Sequence, residues 1–387
     1  MPTRMRRTNP AIDIETRSNV YDLKKHWEAL LDVVPNPNPF SSWEWLVAWW
    51  EHFGVDNIRV RPYFLIIREE KEVVGIVPLY FRQPHKSWSR SEFRVAGNYG
   101  WHGGGTEEPI FLVKPGKESL VAEAVFSYLH NGQHGEQWDL AKIAWQQQPT
   151  NLEEISFRFL GRLTQQEGRQ IVALPDSWKS YRARLSKSMK SNLSYYPHRL
   201  EKAGHSFRVR FLDTPETIGE GIDHLIRLHR QRAKSRRGPR HIDHLGSARN
   251  TAFVSKRLAH LAQNNQACVA LLEINGAVVA AQAYLRKGPE LVFYYSGFET
   301  KWYDFSPLTI LTAEIIKKAI KDGVTRLNFL THPTPFRLRW NTTTETTIYI
   351  AYIVRSHPRA FVAHILEMMR QTFSRIVGRG PEAVPEA

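Results

Sequence analysis

Apolar residues recur at helical and strand-like intervals along the chain, and polar turns separate the segments. In the first half, this pattern predicts helices over 20–31, 43–53 and 117–130 and strands over 59–68, 73–81 and 138–143. Ser41 or Ser42 is placed to cap the second helix, which ends at Gly54. The polar turn 69–72 joins the first two strands into a hairpin. This order of elements is typical of a mixed α/β sheet.

The second half follows a similar order. Helices are predicted over 178–202, 215–231, 247–261, 306–322 and 358–375, and strands over 207–212, 268–274, 277–285, 290–298, 326–330 and 346–354. Asn275-Gly276 lies between two apolar runs, which is a strong hairpin signal. Pro197 is expected to kink or split the helix over 178–202. The last helix carries one apolar stripe.

The repeated order predicts an α/β fold, of α+β mixed-sheet type, built from two tandem units with a boundary near 161–171. We expect a flexible basic tail over 1–19, an N-terminal unit over 20–165 and a more complete C-terminal unit over 166–357. An amphipathic helix and tail follow over 358–387. Packing is favoured over membrane contact for that helix, and core or inter-unit packing over sugar stacking for the tryptophans of 43–53.

The charge is concentrated in one half of the chain. The formal net charge is +15. Residues 1–165 carry 19 basic and 20 acidic side chains, whereas residues 166–387 carry 34 and 18. A positive second half favours a phosphate-bearing, nucleic-acid or acidic membrane partner. The loop 230–240, with six basic residues among eleven, is read equally well as a solvated surface loop or as a lid over an anionic substrate.

The remaining composition excludes several classes of protein. The single cysteine, Cys268, permits neither an intrachain disulfide nor a multi-cysteine zinc site, and an inert buried thiol is expected. His241 and His244 lack a nearby cysteine or a carboxylate cluster, so no metal is expected there. The basic N-terminus has no apolar run after it, and no segment is apolar enough to span a membrane. A cytoplasmic protein is therefore expected.

One segment of the second half predicts an anion site. The strand Leu291–Phe298 opens onto a helix that starts at Ser306-Pro307. The start of a helix presents unpaired backbone N–H groups and the positive end of the helix dipole, which suit a phosphate or pyrophosphate.

Several motifs together resemble a known family. They are Ser42-Trp43-Glu44-Trp45-Leu46, Leu200-Glu201-Lys202-Ala203-Gly204, Asn275-Gly276-Ala277-Val278-Val279-Ala280, Tyr294-Tyr295-Ser296-Gly297-Phe298, Ser306-Pro307 and Phe336-Arg337-Leu338-Arg339-Trp340. Their order and spacing resemble the GNAT superfamily of N-acyltransferases. The similar branch has two units and includes the CelD-like acetyltransferases of cellulose biosynthesis. The transferases that add amino acids to peptidoglycan precursors share this architecture.

The resemblance implies direct transfer of an acyl group from acetyl-CoA or a longer acyl-CoA to a small amine or amino sugar, in polysaccharide or envelope metabolism. It implies that the backbone of Tyr294, Tyr295 and Ser296 holds the oxyanion and pantetheine. The pyrophosphate is expected at Ser306 and the amides of Leu308, Thr309 and Ile310, with charge from Arg337 or Arg339. The candidates for proton transfer are His229, Tyr303, Asp304 and His332.

Two positions depart from the family's pattern and leave alternatives open. Leu308 stands where the family usually has glycine, and Phe336 stands where it usually has tyrosine. Loss of the phenol removes a proton donor. The alternatives are an aminoacyl-tRNA donor, as in the peptidoglycan transferases, and a catalytically decayed scaffold within a polysaccharide-synthesis complex.

Overall fold

Two mixed β-sheets organise the chain in the computed structural model. The described residues are 12–34, 37–55, 57–83, 90–97, 106, 108, 110–132, 134–145, 161–165, 168–235, 241–331, 333–345, 349–355, 357–362, 365 and 369. The chain forms two compact units. The first comprises Met1–Trp101, Glu108–Gln166 and Ile348–Ala387, and the second comprises Glu167–Thr347 with the short segment His102–Glu107. The predicted mixed α/β fold with two similar units is confirmed.

The first unit contains an eight-stranded sheet among its described residues. Its strands are β1 (Ile12–Arg17), β2 (Val60–Glu69), β3 (Glu72–Arg82), β4 (Glu92–Val95), β5 (Leu112–Val113), β6 (Leu140–Trp145), β7 (Gly161–Gln165) and β15 (Tyr349–Val354), and its helices are α1 (Lys24–Leu31), α2 (Trp43–Phe53) and α3 (Glu118–Asn131). The strand order is β1-β2-β3-β4-β6-β15-β7, with β5 paired to β3. Strands β4 and β6 are parallel, and the other recorded pairs are antiparallel.

Aromatic packing explains the tryptophan-rich helix α2. The Ser42 hydroxyl accepts a hydrogen bond from the Trp45 amide, which confirms the predicted cap. Trp45 and Trp49 are fully buried, and the Trp49 ring lies 5.6 Å from the Tyr80 ring of β3. The tryptophans of α2 are therefore core residues, as the spacing predicts.

The second unit contains a seven-stranded sheet among its described residues. Its strands are β8 (Arg169–Ala173), β9 (Phe207–Leu212), β10 (Ala267–Ile274), β11 (Ala277–Lys287), β12 (Glu290–Phe298), β13 (Arg326–Asn328) and β14 (Thr343–Glu345), and its helices are α4 (Trp178–Arg184), α5 (Lys187–Lys202), α6 (Ile218–Lys234), α7 (Ala248–Ala262), α8 (Pro307–Lys321) and α9 (Pro335–Leu338). The order is β14-β8-β13-β12-β11-β10-β9, and only the recorded β12–β13 pair is parallel. Helices α6 and α7 contact the sheet strands, as does α8.

Local signals in the second unit explain most of its boundaries. Asn275 and Gly276 both adopt positive φ, which closes the β10–β11 hairpin with a two-residue turn. Ser247 caps α7 as predicted, by accepting a hydrogen bond from the Asn250 amide. The basic helical stretch breaks at Leu185, where Ser186 caps α5, and Pro197 lies inside α5. The break therefore comes from a new cap and not from the proline.

Three segments differ from the expected organisation. The basic tail includes strand β1, which pairs with β2 over six residues. Strand β15, expected within the second unit, pairs with β6 and β7 of the first sheet, because its alternating apolar residues complete that core. Of the terminal apolar stripe, the structure describes Val362, Ile365 and Met369, and each is at least 40% exposed. No helix in the described part of the chain is long and apolar enough to cross a membrane.

Candidate active site

The centre of the candidate site is the open edge of strand β12. Strands β12 and β13 pair in parallel over Glu290–Val292 alone in the recorded register. On the opposite side, β12 stays paired with β11 as far as Phe298, with a bulge opposite Gln282 to Tyr284. A bulge inserts an extra residue and re-aims the local backbone, and here it falls at Tyr294 and Tyr295. The strand therefore presents one edge toward a gap left by β13.

Buried polar contacts fix the end of β13. The Asn328 side chain is fully buried, accepts a hydrogen bond from the Leu330 amide at 2.7 Å and donates one to Glu290 at 2.9 Å. Leu330 adopts a φ of 64°, a left-handed conformation that costs a branched residue of order 1–3 kcal/mol. The Asn328 amide thus holds the strained residue at which the chain leaves the sheet.

Helix α6 packs directly on β12 through a glycine. A β-carbon built on Gly297 would lie 2.2 Å from the His229 backbone nitrogen and 2.4 Å from the Leu228 carbonyl carbon. Only glycine permits this approach of helix to strand. The face of β12 that carries Gly297 therefore belongs to α6, and Ser296 and Phe298 project from the opposite face.

His229 occupies the unpaired edge of β12. Its Nδ1–H donates to the Ser296 carbonyl at 3.0 Å, and its Nε2 accepts the His244 amide at 3.2 Å. Burial lowers the pKa of His229 to about 4, against the opposing effect of the bond to Ser296. Both ring nitrogens are engaged and the imidazole is neutral at pH 7, so this geometry fits a residue that positions the edge and not the predicted proton acceptor.

Two more histidines surround His229. Its ring centroid lies 4.6 Å from that of His241 and 6.3 Å from that of His244, and Tyr295 packs against the same group. Burial lowers the pKa of His241 to about 3 and also lowers that of His244. Within the described residues, no group of three or more potential ligands is arranged to hold a metal ion.

Arg232 reaches from α6 to the end of β12. It lies on α6, on one face of β12, yet its Nη1 is 3.5 Å from the Ser296 hydroxyl and its guanidinium lies 5.2 Å from the Phe298 ring centroid. The side chain therefore extends past β12 to the face that carries Ser296 and Phe298. Burial lowers the pKa of Arg232, and Tyr303 opposes this effect electrostatically.

The turn before α8 brings two predicted residues to the same region. Tyr303 and Asp304 lie in the 3₁₀ segment Thr300–Phe305. The Tyr303 ring lies 6.3 Å from the Phe298 ring, and its side chain is 39% exposed. The Asp304 carbonyl accepts a hydrogen bond from Arg199 of α5 at 2.8 Å. Of the four predicted proton-transfer residues, Tyr303 and Asp304 are exposed, and the Tyr303 ring packs near Phe298 at the end of β12.

The start of α8 is less open than the sequence predicts. The amides of Thr309 and Ile310 donate to the Ser306 carbonyl at 2.9 and 3.3 Å, and the Ser306 and Thr309 hydroxyls lie 2.7 Å apart. Leu308 is only 7% exposed. Two of the three amides expected to bind pyrophosphate are therefore occupied by the hydrogen bonds of the first helical turn, which starts at the left-handed residue Ser306.

Arg337 and Arg339, the two arginines of the motif that ends at Trp340, have different environments. Arg337 donates to the Thr331 carbonyl, which holds the turn into α9. Arg339 is half-buried, with its guanidinium 4.4 Å from the Phe336 ring centroid. Burial lowers the pKa of Arg339, and Tyr196 and Tyr303 oppose this effect electrostatically. Arg339 thus shares Tyr303 with Arg232, whereas Arg337 serves the local turn. His332 lies outside the described residues.

Sequence reasoning did not identify Arg232, His241 or Asn328 as parts of the site. Arg232 lies inside the basic segment 230–240, whose first residues belong to α6, and His241 follows it directly. A lid over an anionic substrate was one of the two predictions for that segment. That signal could have singled out Arg232. Nothing in the sequence marks Asn328, because its role depends on how β13 ends.

Comparison with known proteins agrees with this architecture. Residues 187–338 match the family model described as "Acetyltransferase (GNAT) domain". No curated protein matches the chain significantly.

Three solved structures resemble the chain over most of its length. FemX covers 92% of this chain and 100% of its own, with a TM-score of 0.62 and 12% identity. A tandem GNAT protein from the clavulanic acid biosynthesis pathway covers 88% and 98%, with a TM-score of 0.50 and 10% identity. A conserved protein of unknown function from Bacteroides thetaiotaomicron covers 88% and 100%, with a TM-score of 0.50 and 12% identity. At these identities the likeness concerns the fold.

The chain therefore shares its two-unit fold with the tandem GNAT protein, and residues 187–338 of its second unit match the acetyltransferase (GNAT) domain model.

Proposed function

We propose that the second unit transfers an activated acyl group to an amine in the gap between β12 and β13. The observation that supports this most is the bulged strand β12, whose edge beyond Val292 is released by β13. A released edge offers backbone N–H groups at fixed positions in a partly dry environment. Such groups stabilise the oxyanion of acyl transfer, and the gap holds the two reactants together. Tyr294, Tyr295 and Ser296 supply this edge.

The proposed reaction is direct. The nitrogen of the neutral amine forms a bond to the acyl carbon, and the bond from that carbon to the leaving thiolate breaks through a tetrahedral intermediate. The amine gives up one proton, and the thiolate takes one. We assign the protonation of the leaving group to Tyr303, which replaces the phenol that Phe336 lacks. His229 keeps the Ser296 carbonyl in place and is a positioning residue.

An acyl-CoA is the proposed donor. Its diphosphate has the Leu308 amide and the Arg339 guanidinium as partners, because the Thr309 and Ile310 amides are already bonded to Ser306. The acceptor is a small amine or amino sugar, and a role in polysaccharide or envelope metabolism belongs to this proposal.

Isothermal titration with acetyl-CoA and longer acyl-CoAs, followed by turnover with a panel of amines, tests the proposal. We expect binding and acyl transfer, and we expect Tyr303→Phe to lower kcat by about 10²–10⁴-fold with little change in donor affinity. Tyr21→Phe, which removes an exposed hydroxyl from the first unit, is the matched control and should leave kcat unchanged. Absence of binding and turnover with every acyl-CoA would exclude the donor proposed here.

A second candidate donor, an acyl group carried on tRNA, is favoured by one surface. Helices α4 and α5 carry seven basic side chains and one acidic residue, Glu201, over residues 178–202. Tyr195 is 51% exposed on α5 and stacks near Arg199, which contacts the turn before α8. Basic residues interleaved with an exposed aromatic ring suit a nucleic-acid backbone and its bases.

A gel shift at low salt with aminoacyl-tRNA distinguishes the two donors. If tRNA is the donor, Lys187→Gln combined with Lys190→Gln weakens binding and reduces its salt dependence by about two counterions. Lack of any shift at low salt would exclude this candidate.

A further inference from the structure

The guanidinium of Arg232 is a partly buried positive charge beside the end of β12. Its recorded neighbours within the described residues are the Ser296 hydroxyl, the Phe298 ring and, electrostatically, Tyr303, His229 and His241. None of these is a carboxylate. An ionised group in this setting loses hydration that its protein neighbours replace only in part, which is costly unless a counter-charge arrives.

The guanidinium contacts side chains of β12. The side chain starts on α6 and reaches the Ser296 hydroxyl and the Phe298 ring, on the face of β12 opposite Gly297. A shorter path to solvent exists for a residue in the last turn of a helix, since the neighbouring Gln231 and Lys234 are exposed. The fold instead directs this cation to the end of β12.

The surrounding groups suit an oxyanion with several acceptor atoms. A guanidinium offers paired donors to a carboxylate or phosphate, and the Ser296 hydroxyl 3.5 Å away adds a third donor. His241 is half-buried with a lowered pKa, and it offers a further polar ring without a competing negative charge. Asp243 lies on the other side of His229, 4.0 Å from its Nε2.

We propose that Arg232 pairs with an anionic group of the substrate, so that the amine acceptor also bears a carboxylate or a phosphate. The identification of the bound molecule as the acceptor rests on the proposed function, whereas the anion site rests on the geometry around Arg232 alone. Arg232 thereby selects anionic amines over neutral ones. A donor phosphate at the same guanidinium is the competing source of this chemistry.

Thermal-shift titration of the full chain with inorganic phosphate and with glutarate, at constant ionic strength set with sodium chloride, tests the anion site without turnover. We expect Arg232→Gln to weaken both anions at least tenfold and Arg232→Lys to weaken them less, because lysine keeps the charge but loses the paired donors. Arg249→Gln, at an exposed arginine of α7, is the matched control and should bind as the wild type does. Equal affinity in wild type and Arg232→Gln, or an equal loss in Arg249→Gln, would overturn the proposal. If Arg232→Gln does not fold, an unchanged affinity in Arg232→Lys would overturn it.

Kinetics with two acceptor substrates then distinguish an anionic group of the acceptor from a phosphate of the donor as the partner of Arg232. At saturating acetyl-CoA, γ-aminobutyrate and n-butylamine differ in the carboxylate alone. Arg232→Gln should raise KM for γ-aminobutyrate at least tenfold and leave n-butylamine unchanged. A rise in the dissociation constant of CoA instead would assign the guanidinium to the donor and contradict the acceptor. If acetyl-CoA neither binds nor reacts, the proposed function fails while the phosphate titration still decides this inference.

Discussion

The contact between Gly297 and helix α6 gives the most direct test of how the site is built. In Gly297→Ala, the added methyl group would lie 2.2 Å from the His229 nitrogen and 2.4 Å from the Leu228 carbonyl carbon. Both are backbone atoms of a helix, so neither can rotate away as a flexible side chain does. Helix and strand must separate, which costs about 1–3 kcal/mol or somewhat more in a packed core. The bond from His229 to the Ser296 carbonyl lengthens as a consequence.

Gly219→Ala is the matched control for this substitution. Gly219 lies in α6, the helix that packs on Gly297, and a β-carbon at Gly219 would meet no atom within 4 Å. Gly219 lies in the first turn of α6, so the change to alanine should stabilise the protein by at most about 0.5–1 kcal/mol, the value for a helix interior.

Urea unfolding, with hydrogen exchange of α6 and β12 amides to follow the second unit, measures both variants. We expect a lower free energy of unfolding in Gly297→Ala and an equal or higher one in Gly219→Ala. If Gly297→Ala unfolds at the wild-type urea concentration with unchanged exchange in β12, the close approach described here is incorrect.

Three further predictions concern the neighbouring polar contacts and pH. Asn328→Leu should lower the free energy of unfolding by about 1–3 kcal/mol, because it leaves the Leu330 amide unpaired, and urea unfolding measures the loss. Thr312→Val removes the 2.8 Å bond to Gln282 between two buried side chains and should cost about 1–2 kcal/mol in the same assay, whereas no loss would contradict that contact. The His229 pKa is lowered in the folded state, so between pH 6.5 and 4 the unfolded chain binds a proton that the folded imidazole does not. The free energy of unfolding should therefore decrease as the pH is lowered from 6.5 to 4, and this group should not affect it above pH 6.5. The decrease should be less steep in His229→Gln.

Much of the fold could be predicted because short signals decide it locally. The Asn275-Gly276 turn, the Ser42 and Ser247 caps and the alternating apolar strands each require only a few neighbouring residues. The strand over 346–354 was predicted, but its sheet could not be assigned from sequence, because its partners β6 and β7 lie about two hundred residues earlier in the chain.

The site was predictable in outline and not in detail. Residues 294–296 and Tyr303 lie where the motif order implies, since the motif and the strand coincide. The amides of Thr309 and Ile310 were expected to face a ligand, yet both bond to the Ser306 carbonyl in the first turn of α8. Which amides of a first turn stay free depends on where the helix begins, and the sequence pattern does not fix that to the residue.

The central claim is that the released edge of β12 receives the acyl donor. Amide hydrogen exchange of the full chain, with and without a non-reactive thioether analogue of acetyl-CoA, tests it directly. We expect slower exchange for the amides of 293–298 and of Leu308, and unchanged exchange for the amides of the first unit. Unaltered exchange along 293–298 under saturating analogue, or protection confined to other strands, would contradict it.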